Sequence, residues 1–440
     1  MNTGDGGPAD EAPDQDETPG RDTRPATGAP GRAPVPRRRG AAAARATART
    51  LVALLSVVAL STAGYAYSTL DTLQSSVRTT DALRLADDPE PDRTAAEDDR
   101  EQAPPAPPED DGATDILLVG TDARTDMDGA PLPHRVLRQL RTENKPGVNT
   151  DTLIVLRVPH DGASPTAVSI PRDSWVAVPH GGHDKINSVY GAAKQRERER
   201  LREAGMSDRA ELERESDQAG RRALVTTVQD LTRVRVDHYA EVNLLGFYLL
   251  TEALGGVEVC LNRATSDPDS GADFRAGRQV VSGSEALSFV RQRKNLPRGD
   301  LDRIVRQQAF LASALGTVLS AGTLTDSDRM DKLADTVRRS LVLDSDMDLL
   351  EFADQVEGIA SGDISFRTVP VTDIAAWSPD GTQSIVRLDV AEVRAFVRSV
   401  VRGDAGDAGD GGGAPVGGGS APGGAPLPAQ ITADEIPCVN

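Results

Sequence analysis

The sequence predicts an α/β fold in which helices sandwich a central β-sheet, preceded by one N-terminal transmembrane helix. Two observations lead to this prediction. Between residues 114 and 402, short β-rich apolar runs alternate with stretches of helical period. Near the N-terminus, one uncharged apolar run is long enough as a helix to cross a bilayer. No internal repeat shows at any obvious period, so the alternation indicates a layered α/β/α domain.

Apolar runs rich in β-branched residues predict the strands of the sheet. In chain order they are TDILLVGTD, TDTLIVLRV, TAVSIPRDSWVAV, HYAEVNLLGFYLL, VEVCL and ISFRTVPV. Pro171, Arg172 and Asp173 interrupt the third run.

Segments of helical period lie between these runs and after them. They are KINSVYGAAKQRERERLREAG, QAGRRALVTTVQDLT, GSEALSFVRQ, DRIVRQQAFLASALGTVLS and VAEVRAFVRSVV. The stretch QRERERLREAGMSDRAELERESDQAGRR is charged nearly throughout and predicts a solvated helical excursion held by i,i+4 ion pairs. Beyond Gly322, DRMDKLADTVRRSLVLDSDMDLLEFADQVEGI predicts two more amphipathic helices.

Composition divides the chain into five segments. Residues 1–49 predict a disordered cytoplasmic tail, and residues 50–70 the transmembrane helix. Residues 71–113 predict an acidic, Pro-rich linker. Residues 114–402 then form the folded extracellular domain, and residues 403–440 a Gly-rich tail that ends in a segment containing a cysteine.

Charges on the two sides of the apolar run predict its orientation. Arginines precede it, and Asp71 and further acids follow it. The positive-inside bias therefore places the N-terminus in the cytoplasm and the folded domain outside the cell membrane. A cleaved signal peptide is the alternative, but no clear A-x-A site follows the run, which favours a retained anchor.

The two cysteines fit an external location. Cys260 closes the apolar run GGVEVC, and Cys438 lies two residues from the C-terminus. Outside the membrane they are expected to pair, which would tie the terminal segment to the domain across the Gly-rich tail. Two unpaired thiols are the alternative, and would be ordinary if the domain were intracellular.

A strongly basic stretch stands out in this acidic chain. Residues 288–308, SFVRQRKNLPRGDLDRIVRQQ, hold five arginines and a lysine against two aspartates, whereas the whole chain has a formal net charge of −19. Pro297 and Gly299 break the stretch between two helices, which gathers Arg291, Arg293, Arg303 and Arg306 around one place. The planar guanidinium suits bidentate binding of phosphate. The alternative is that these arginines lie on solvated faces and pair with nearby acids.

Two aspartates next to predicted strands suggest a cation site. Asp122 directly follows the strand DILLV, and Asp151 lies at the start of TLIVLRV. Two carboxylates with few other ligands suit a hard divalent cation such as Mg²⁺, with Mn²⁺ as an alternative, which completes its shell with waters and substrate phosphates. Each aspartate alone would be an ordinary turn residue.

The interrupted strand and the helix after it add further candidates. Arg172 either makes a structural ion pair with Asp173 or points into a site. Lys185 and Asn187 lie at a predicted helix start, where an anionic group would be stabilised. Because the chain as a whole is acidic, a nucleic acid is not an expected partner. A local basic pocket with two acids points instead to a small polyphosphate, most simply a pyrophosphate with Mg²⁺.

The motifs together resemble the LytR-CpsA-Psr family of cell-wall enzymes. They are DILLVGTDAR, NTDTLIVLRV, VSIPRDSWV, HDKINSVYG, ALGGVEV and EALSFVRQRKNLPRGDLDRIVRQQ, and they cover residues 114–319. The resemblance implies a membrane-anchored protein with an external α/β/α domain. It implies transfer of a glycopolymer from a polyprenyl-pyrophosphate carrier to peptidoglycan. Frequent Arg, Ala, Gly and Asp with few Lys are typical of an actinobacterial source.

The resemblance also assigns roles to individual residues. It implies that Asp122 and Asp151 hold Mg²⁺ on the pyrophosphate and that Lys185 lies near the head group. The implied phosphate ligands are Arg172, Arg291, Arg293 and Arg303, with Arg306 nearby, and the residues that support them are Asp300 and Gln307. Many members carry Arg where this chain has Asn149, so this phosphate contact is either missing or supplied by Arg124. Asp122 or Asp300 is expected to take the proton of the acceptor hydroxyl.

Other functions remain open at the level of sequence. The same site with water as acceptor would make a polyprenyl-pyrophosphate pyrophosphohydrolase. A non-catalytic envelope scaffold that binds glycan or lipid is the alternative from another class. A transcriptional regulator is disfavoured because the predicted orientation places the domain outside the membrane. The apolar segment from Asn243 to Gly256 is expected to be core, with lining of a lipid groove as the less favoured alternative.

Overall fold

The computed structural model describes residues 78–87, 111–126, 129–143, 147–319, 336–337, 340–347, 364–403 and 437–440. All of them belong to one unit, Tyr65–Asn440. The predicted transmembrane helix at residues 50–70 lies outside these residues, as does the predicted N-terminal tail. None of the helices in the described ranges has the length and apolar character needed to span a membrane.

The strands and helices have the following bounds. The strands are β1 (Arg78–Thr80), β2 (Ala113–Thr121), β3 (Thr150–Pro159), β4 (Thr166–Ser169), β5 (Trp175–Ala177), β6 (His183–Lys185), β7 (His238–Asn243), β8 (Val257–Leu261), β9 (Thr265–Asp267), β10 (Ala272–Phe274), β11 (Gly277–Val281), β12 (Leu341–Asp344), β13 (Ser365–Thr368), β14 (Asp373–Trp377), β15 (Ser384–Arg387) and β16 (Cys438–Val439). The helices are α1 (Ala82–Asp87), α2 (His134–Gln139), α3 (Ile186–Glu203), α4 (Arg209–Thr232), α5 (Leu244–Ala253), α6 (Gly283–Arg291), α7 (Asp300–Leu319) and α8 (Val390–Val401).

The central sheet is mixed and runs in the order β1-β12-β7-β2-β3-β4-β13. β2 lies at its middle, parallel to β7 and antiparallel to β3. β4 continues the sheet antiparallel to β3 and parallel to β13. The ends of β2 and β4 therefore lie at the same edge of the sheet as the start of β3.

Alternation along β2 and β3 explains why the sheet is covered on both faces. Ile116 and Ile154 point into one core, which α6 and α7 complete with residues such as Phe289 and Val305. Their neighbours Leu117 and Val155 belong to a second core, which α3, α4 and α8 close. Because side chains alternate between the faces of a strand, strands with apolar residues at every position must be buried on both sides. The predicted sandwich of a sheet between helices is present.

Two predicted segments have a different structure. The run HYAEVNLLGFYLL is strand only to Asn243, whose side chain accepts a hydrogen bond from the Gly246 amide at 2.8 Å and caps α5. Within the stretch beyond Gly322, LVLD was predicted as helix but forms β12, because it pairs with β1 and β7 in the sheet. Most of that stretch lies outside the described residues.

The predicted linker and the charged excursion also need correction. Within residues 71–113, β1 is an edge strand of the central sheet and α1 packs against α4. The charged excursion is largely helical but not fully solvated, since Glu213 and Arg221 are only 5% and 8% exposed. The Lys194 ammonium contacts Glu213 at 2.8 Å and Asp217 at 2.6 Å. One face of this helix pair therefore buries paired charges.

A disulfide joins Cys260 of β8 to Cys438 of β16, across 178 residues of sequence. The two strands run parallel in a small sheet with β11. Next to the disulfide, the Asn262 amide donates to the Val439 carbonyl at 2.8 Å. The last residues of the chain are thus held in the domain by a disulfide, strand pairing and a backbone hydrogen bond.

We expect the Cys438→Ser variant to be less stable than the wild type by about 2–4 kcal/mol, because the cross-link restricts the unfolded chain. Urea unfolding followed by circular dichroism measures this difference. The wild type under reducing conditions is the matched control and should unfold with the variant. Equal unfolding midpoints for oxidised and reduced wild type would contradict the expectation.

A buried carboxyl at the start of β2 gives the domain a pH-dependent stability. Asp115 is 2% exposed and contacts the Arg157 guanidinium, which also contacts Asp111 at 2.9 Å. Burial raises the pKa of Asp115 to about 7, although Arg157 opposes the rise. The folded chain therefore holds this proton up to about pH 7, whereas the unfolded chain releases it near the ordinary value of 3.8.

Between these two pH values the folded state binds more protons, so this carboxyl makes the free energy of unfolding fall as pH rises. Above pH 7 its effect is level. We expect Asp115→Asn to flatten the fall between pH 5 and 7 in urea titrations. The exposed Asp161→Asn variant should keep the slope of the wild type, and equal slopes for all three proteins would refute the role of Asp115.

Candidate phosphate-binding site

The candidate site lies where the ends of β2 and β4 meet the start of β3. The register Thr121↔Thr150 brings the residues after β2 beside those before β3. The register Ile154↔Ser169, continued beyond the strand pair, places Asp151 opposite Arg172. Predicted site residues from separate motifs therefore come together because of the antiparallel pairing of β3 with both neighbours.

Asp122 is held in place by Asn149 and Arg124. Its Oδ1 accepts from the Asn149 backbone amide at 2.7 Å, and its Oδ2 accepts from the Asn149 side-chain amide at 3.3 Å. The Arg124 Nη2 contacts Oδ2 at 3.4 Å, and Nη1 donates to the Asp122 carbonyl at 2.9 Å. Asn149 thus orients the carboxylate, and Arg124 supplies a cation beside it. The contact of Arg124 with a phosphate stays a prediction.

Arg172 is the centre of a network of carboxylates. It hydrogen-bonds Asp151, and its Nε lies 3.5 Å from Asp173 and 3.9 Å from Asp300. Burial lowers the pKa of Arg172, but the three carboxylates outweigh burial and raise it above its ordinary value. The guanidinium therefore stays charged although only 15% of its side chain is exposed.

Asp173 joins Lys185 and Arg293 to this network. Its carboxylate lies 3.3 Å from the Lys185 ammonium and 3.6 Å from the Arg293 guanidinium. Burial alone would raise the pKa of Asp173, but Arg172, Lys185 and Arg293 together lower it. Asp173 was not among the predicted site residues. The interruption of a strand by an Arg-Asp pair was the signal for it. The structure confirms the interpretation as an ion pair, at 3.5 Å, and the interpretation as a site residue stays a prediction.

The loop between α6 and α7 positions the remaining arginines of the cluster. Gly299 has φ 54° and Asn295 φ 63°, so the backbone turns through the left-handed region twice before α7 begins. Arg298 closes the turn by pairing with the buried Asp302 at 2.7 Å. That arginine fits the alternative interpretation of the stretch, in which a basic residue pairs with a nearby acid.

Arg303 is buried with unused donors. It is 3% exposed, and its Nη2 contacts Asp300 at 2.7 Å without the alignment of a hydrogen bond. Its Nε and Nη2, the Nε of Arg172 and both carboxylate oxygens of Asp300 make no hydrogen bond within the described part of the chain. Burial lowers the pKa of Arg303 to about 10. Buried donors without acceptors are costly, so this arrangement favours an anionic ligand.

Arg291 completes the cluster. Its Nη1 donates to the Leu140 carbonyl at 3.2 Å, which holds the side chain beside the loop after α2. Burial lowers the pKa of Arg291, while Asp151 and Asp122 act to raise it. The side chain therefore lies within electrostatic reach of both predicted metal ligands.

The charges of the cluster do not cancel. Its six cations, Arg124, Arg172, Lys185, Arg291, Arg293 and Arg303, face four carboxylates, Asp122, Asp151, Asp173 and Asp300. Two positive charges remain in a chain of net charge −19. A local excess of this kind attracts an anion that carries at least two negative charges.

Two of the predicted site residues lie elsewhere. Arg306 is fully buried, donates to Gln292 at 2.7 Å and to the Asn440 carbonyl, and lies 5.1 Å from the Phe289 ring centre. The Gln307 amide donates to the Val290 carbonyl at 3.2 Å rather than supporting the arginines. Both predictions are wrong, because the face of α7 that carries these two residues packs against α6, Gln292 and the C-terminus.

The two predicted metal ligands are adjacent in the site but stand without further acidic ligands. No group of three or more His, Cys, Asp or Glu side chains suited to a metal occurs in the ranges that the structure describes. Two carboxylates still fit a Mg²⁺ ion that takes its other ligands from waters and phosphates. The donor set therefore agrees with a cation that binds together with its substrate.

The fold and this cluster define a class: an α/β/α protein with a partly buried cluster of side chains, of net positive charge, at the edge of its sheet. The chain belongs to the LytR_cpsA_psr family, whose family model matches residues 73–395. The resemblance seen in the sequence motifs is confirmed, including its actinobacterial type.

Several relatives are similar over part of their length. The cell wall biosynthesis protein LcpA of Corynebacterium glutamicum is 52% identical over 298 residues, which cover 68% of this chain and 57% of LcpA. LcpB of the same organism, a probable cell wall biosynthesis protein, is 36% identical over 49% of this chain and 44% of its own. The polyisoprenyl-teichoic acid–peptidoglycan teichoic acid transferase TagU of Oceanobacillus iheyensis is 29% identical over 54% of this chain and 61% of TagU. This chain thus spans about half the length of these relatives.

Solved structures are also similar at low identity. The LytR-Csp2A-Psr enzyme of Actinomyces oris matches with TM-score 0.46 at 18% identity, over 67% of this chain and 92% of its own. TagV of B. subtilis matches with TM-score 0.46 at 21% identity, over 67% of this chain and 97% of its own.

We expect Arg303→Ala to weaken the binding of inorganic pyrophosphate at least tenfold, because a hydrogen bond to a charged group is worth about 1.5–3 kcal/mol. Isothermal titration calorimetry of the full chain measures the affinity. Arg278→Ala is the matched control, since Arg278 is exposed and pairs with Glu258 in another sheet. An unchanged affinity of the Arg303 variant would place the anion site elsewhere.

Proposed function

We propose that this chain is a membrane-anchored phosphotransferase that attaches a glycopolymer from a polyprenyl-pyrophosphate carrier to peptidoglycan. The observation that supports it most is that Arg172 and Arg303 have buried donors that lack an acceptor. Family membership and relatives named for cell-wall biosynthesis and teichoic acid transfer support the same assignment. Under this proposal the domain works on the outer side of the cell membrane.

The proposed reaction uses the cluster mainly for positioning. The acceptor hydroxyl oxygen attacks the phosphorus nearest the glycan and forms a new P–O bond. The bond from that phosphorus to the bridging oxygen breaks, and the polyprenyl phosphate leaves with the bridging oxygen. Arg172, Arg291, Arg293 and Arg303 hold the phosphates and stabilise the charge that develops on them.

The carboxylates have separate proposed tasks. Asp300 touches three arginines and keeps their guanidinium groups in place. Asp122 and Asp151 are the proposed ligands of Mg²⁺, or of Mn²⁺, which when bound neutralises charge on the phosphates. Asp122 and Asp300 are the two carboxylates proposed to accept the proton of the attacking hydroxyl.

The lipid of the carrier requires an apolar surface. On α5, Leu244, Gly246 and Thr251 are buried and Leu245 and Phe247 pack against the core, while Leu249 and Leu250 stay partly exposed. A helix that only filled the core would bury more of these side chains. This exposure supports the lipid-lining interpretation of the segment over a purely structural one.

We expect Arg291→Ala to lower the turnover of a polyprenyl pyrophosphate that carries one sugar by about 100-fold or more, since loss of one donor to the transition state costs about 2.7–4 kcal/mol. The assay uses the full chain in detergent, purified peptidoglycan and Mg²⁺, and follows polyprenyl phosphate together with sugar bound to peptidoglycan. The exposed Arg200→Ala variant is the control.

The products distinguish the proposal from its alternatives. Polyprenyl phosphate released without sugar on peptidoglycan would indicate a pyrophosphohydrolase. Binding of the carrier without turnover by the wild type would indicate a non-catalytic scaffold and refute the proposed transfer.

A further inference from the structure

A cleft lies beside the phosphate site, and the proposed transfer assigns no role to the residues that line it. It encloses about 150 Å³ between the loop after β2, the end of β7 and the helices α3 and α4. Its lining residues include Thr125, Asp126, Tyr190, Arg214, Glu215, Asp217, Arg221, Glu241 and Asn243. Almost all of these side chains are polar.

The floor of the cleft is a fixed network of buried charges. Glu241, 4% exposed, accepts from Arg221 at 2.8 Å and from the Tyr239 hydroxyl at 2.8 Å. Asp217 accepts from the Tyr190 hydroxyl at 2.8 Å and from Lys194 at 2.6 Å. Arg221 and Glu241 also join α4 to β7, but apolar side chains would join them at lower desolvation cost. Placing this network under a cleft favours a role in recognition.

The loop after β2 lines both the phosphate site and the cleft. Asp122 and Arg124 point into the phosphate site, whereas Ala123, Thr125 and Asp126 line the cleft. The Asn243 amide holds this loop by donating to the Thr125 carbonyl at 3.0 Å. A ligand in the cleft would therefore lie one loop away from the pyrophosphate.

The charges of the cleft are balanced, unlike those of the phosphate site. Its arginines Arg78, Arg214 and Arg221 face Asp126, Glu215, Asp217 and Glu241, and Lys194 supplies a fourth cation on Asp217. An apolar ligand would bury these groups without partners, and an anion would gain nothing from a neutral site. A neutral molecule with many hydroxyls fits, because it donates and accepts in every direction.

The volume sets the size of the ligand. A cavity of about 150 Å³ holds one six-membered ring, as the binding of benzene in an engineered cavity of that size illustrates. One sugar residue fits, with the rest of a glycan outside. We propose that this cleft binds one neutral sugar residue beside the phosphate site, either the sugar next to the donor pyrophosphate or a sugar of the acceptor glycan. This inference rests on the proposed function for the identity of those two glycans.

A large side chain introduced at the rim of the cleft tests the proposal, because it would block the sugar. Glu215 is exposed, lines the cleft and lies on α4, so Glu215→Trp should fold and occupy the space of the sugar. Glu211→Trp is the matched control, since Glu211 is an exposed glutamate one turn earlier on the same helix and does not line the cleft. Thermal unfolding of both variants checks that they are folded.

Titration calorimetry of the full chain uses two probes: a polyprenyl pyrophosphate that carries one N-acetylated sugar, and a disaccharide fragment of peptidoglycan. We expect Glu215→Trp to weaken one of them at least tenfold, while Glu211→Trp binds both as the wild type does. A loss for the lipid-linked probe identifies the donor sugar, and a loss for the disaccharide identifies the acceptor. Unchanged affinity for both, or no binding of either probe by the wild type, would overturn the proposal.

A third titration separates the two proposals. Geranylgeranyl pyrophosphate carries no sugar, so its binding by the wild type depends on the phosphate site and the lipid-lining surface and not on the cleft. If the wild type fails to bind it, the proposed function fails, whereas the disaccharide titration still decides whether the cleft takes a sugar.

Discussion

The contact of Arg172 with three carboxylates is the interaction on which the site depends. Asp151 comes from the start of β3, Asp173 from the break after β4 and Asp300 from the first turn of α7. One guanidinium therefore fastens three parts of the chain to the same edge of the sheet. Because its Nε keeps no hydrogen bond of its own, the same group that assembles the site also needs a ligand to satisfy it.

A feature of this arrangement can be predicted from the sequence when it depends on neighbouring residues, and not when it depends on contacts between distant parts of the chain. Strand runs and helix starts reflect local periodicity and capping, so the sheet, α6 and the break at Gly299 were predictable. LVLD was not, because only pairing with β1 and β7 makes it a strand. Arg306 was misplaced for a similar reason: in sequence it is one more arginine of a basic stretch, and only the fold shows that its partners are Gln292 and Asn440.

Asp173 illustrates a second limit of prediction from sequence, in which one pattern allows two interpretations. The pattern of an Arg-Asp pair inside a strand allowed either a structural ion pair or a site residue, and the structure shows the ion pair. Its carboxylate contacts Arg172, Lys185 and Arg293, so it holds three cations together that would otherwise repel one another. A preorganised anion site needs such counter-charges, because cations without them would move apart when no ligand is bound.

The C-terminus extends this preorganisation to the other side of the cluster. The disulfide holds β16 against β8, which places the Asn440 carbonyl where the buried Arg306 donates to it. Arg306 in turn donates to Gln292, whose amide reaches Thr265 at 2.6 Å and the Lys294 carbonyl at 2.9 Å. Gln292 lies between Arg291 and Arg293 in the chain, so a cross-link remote from the cluster restrains the backbone that presents both arginines. The tail therefore positions the site through Arg306, which accounts for a buried arginine in a place where it touches no ligand.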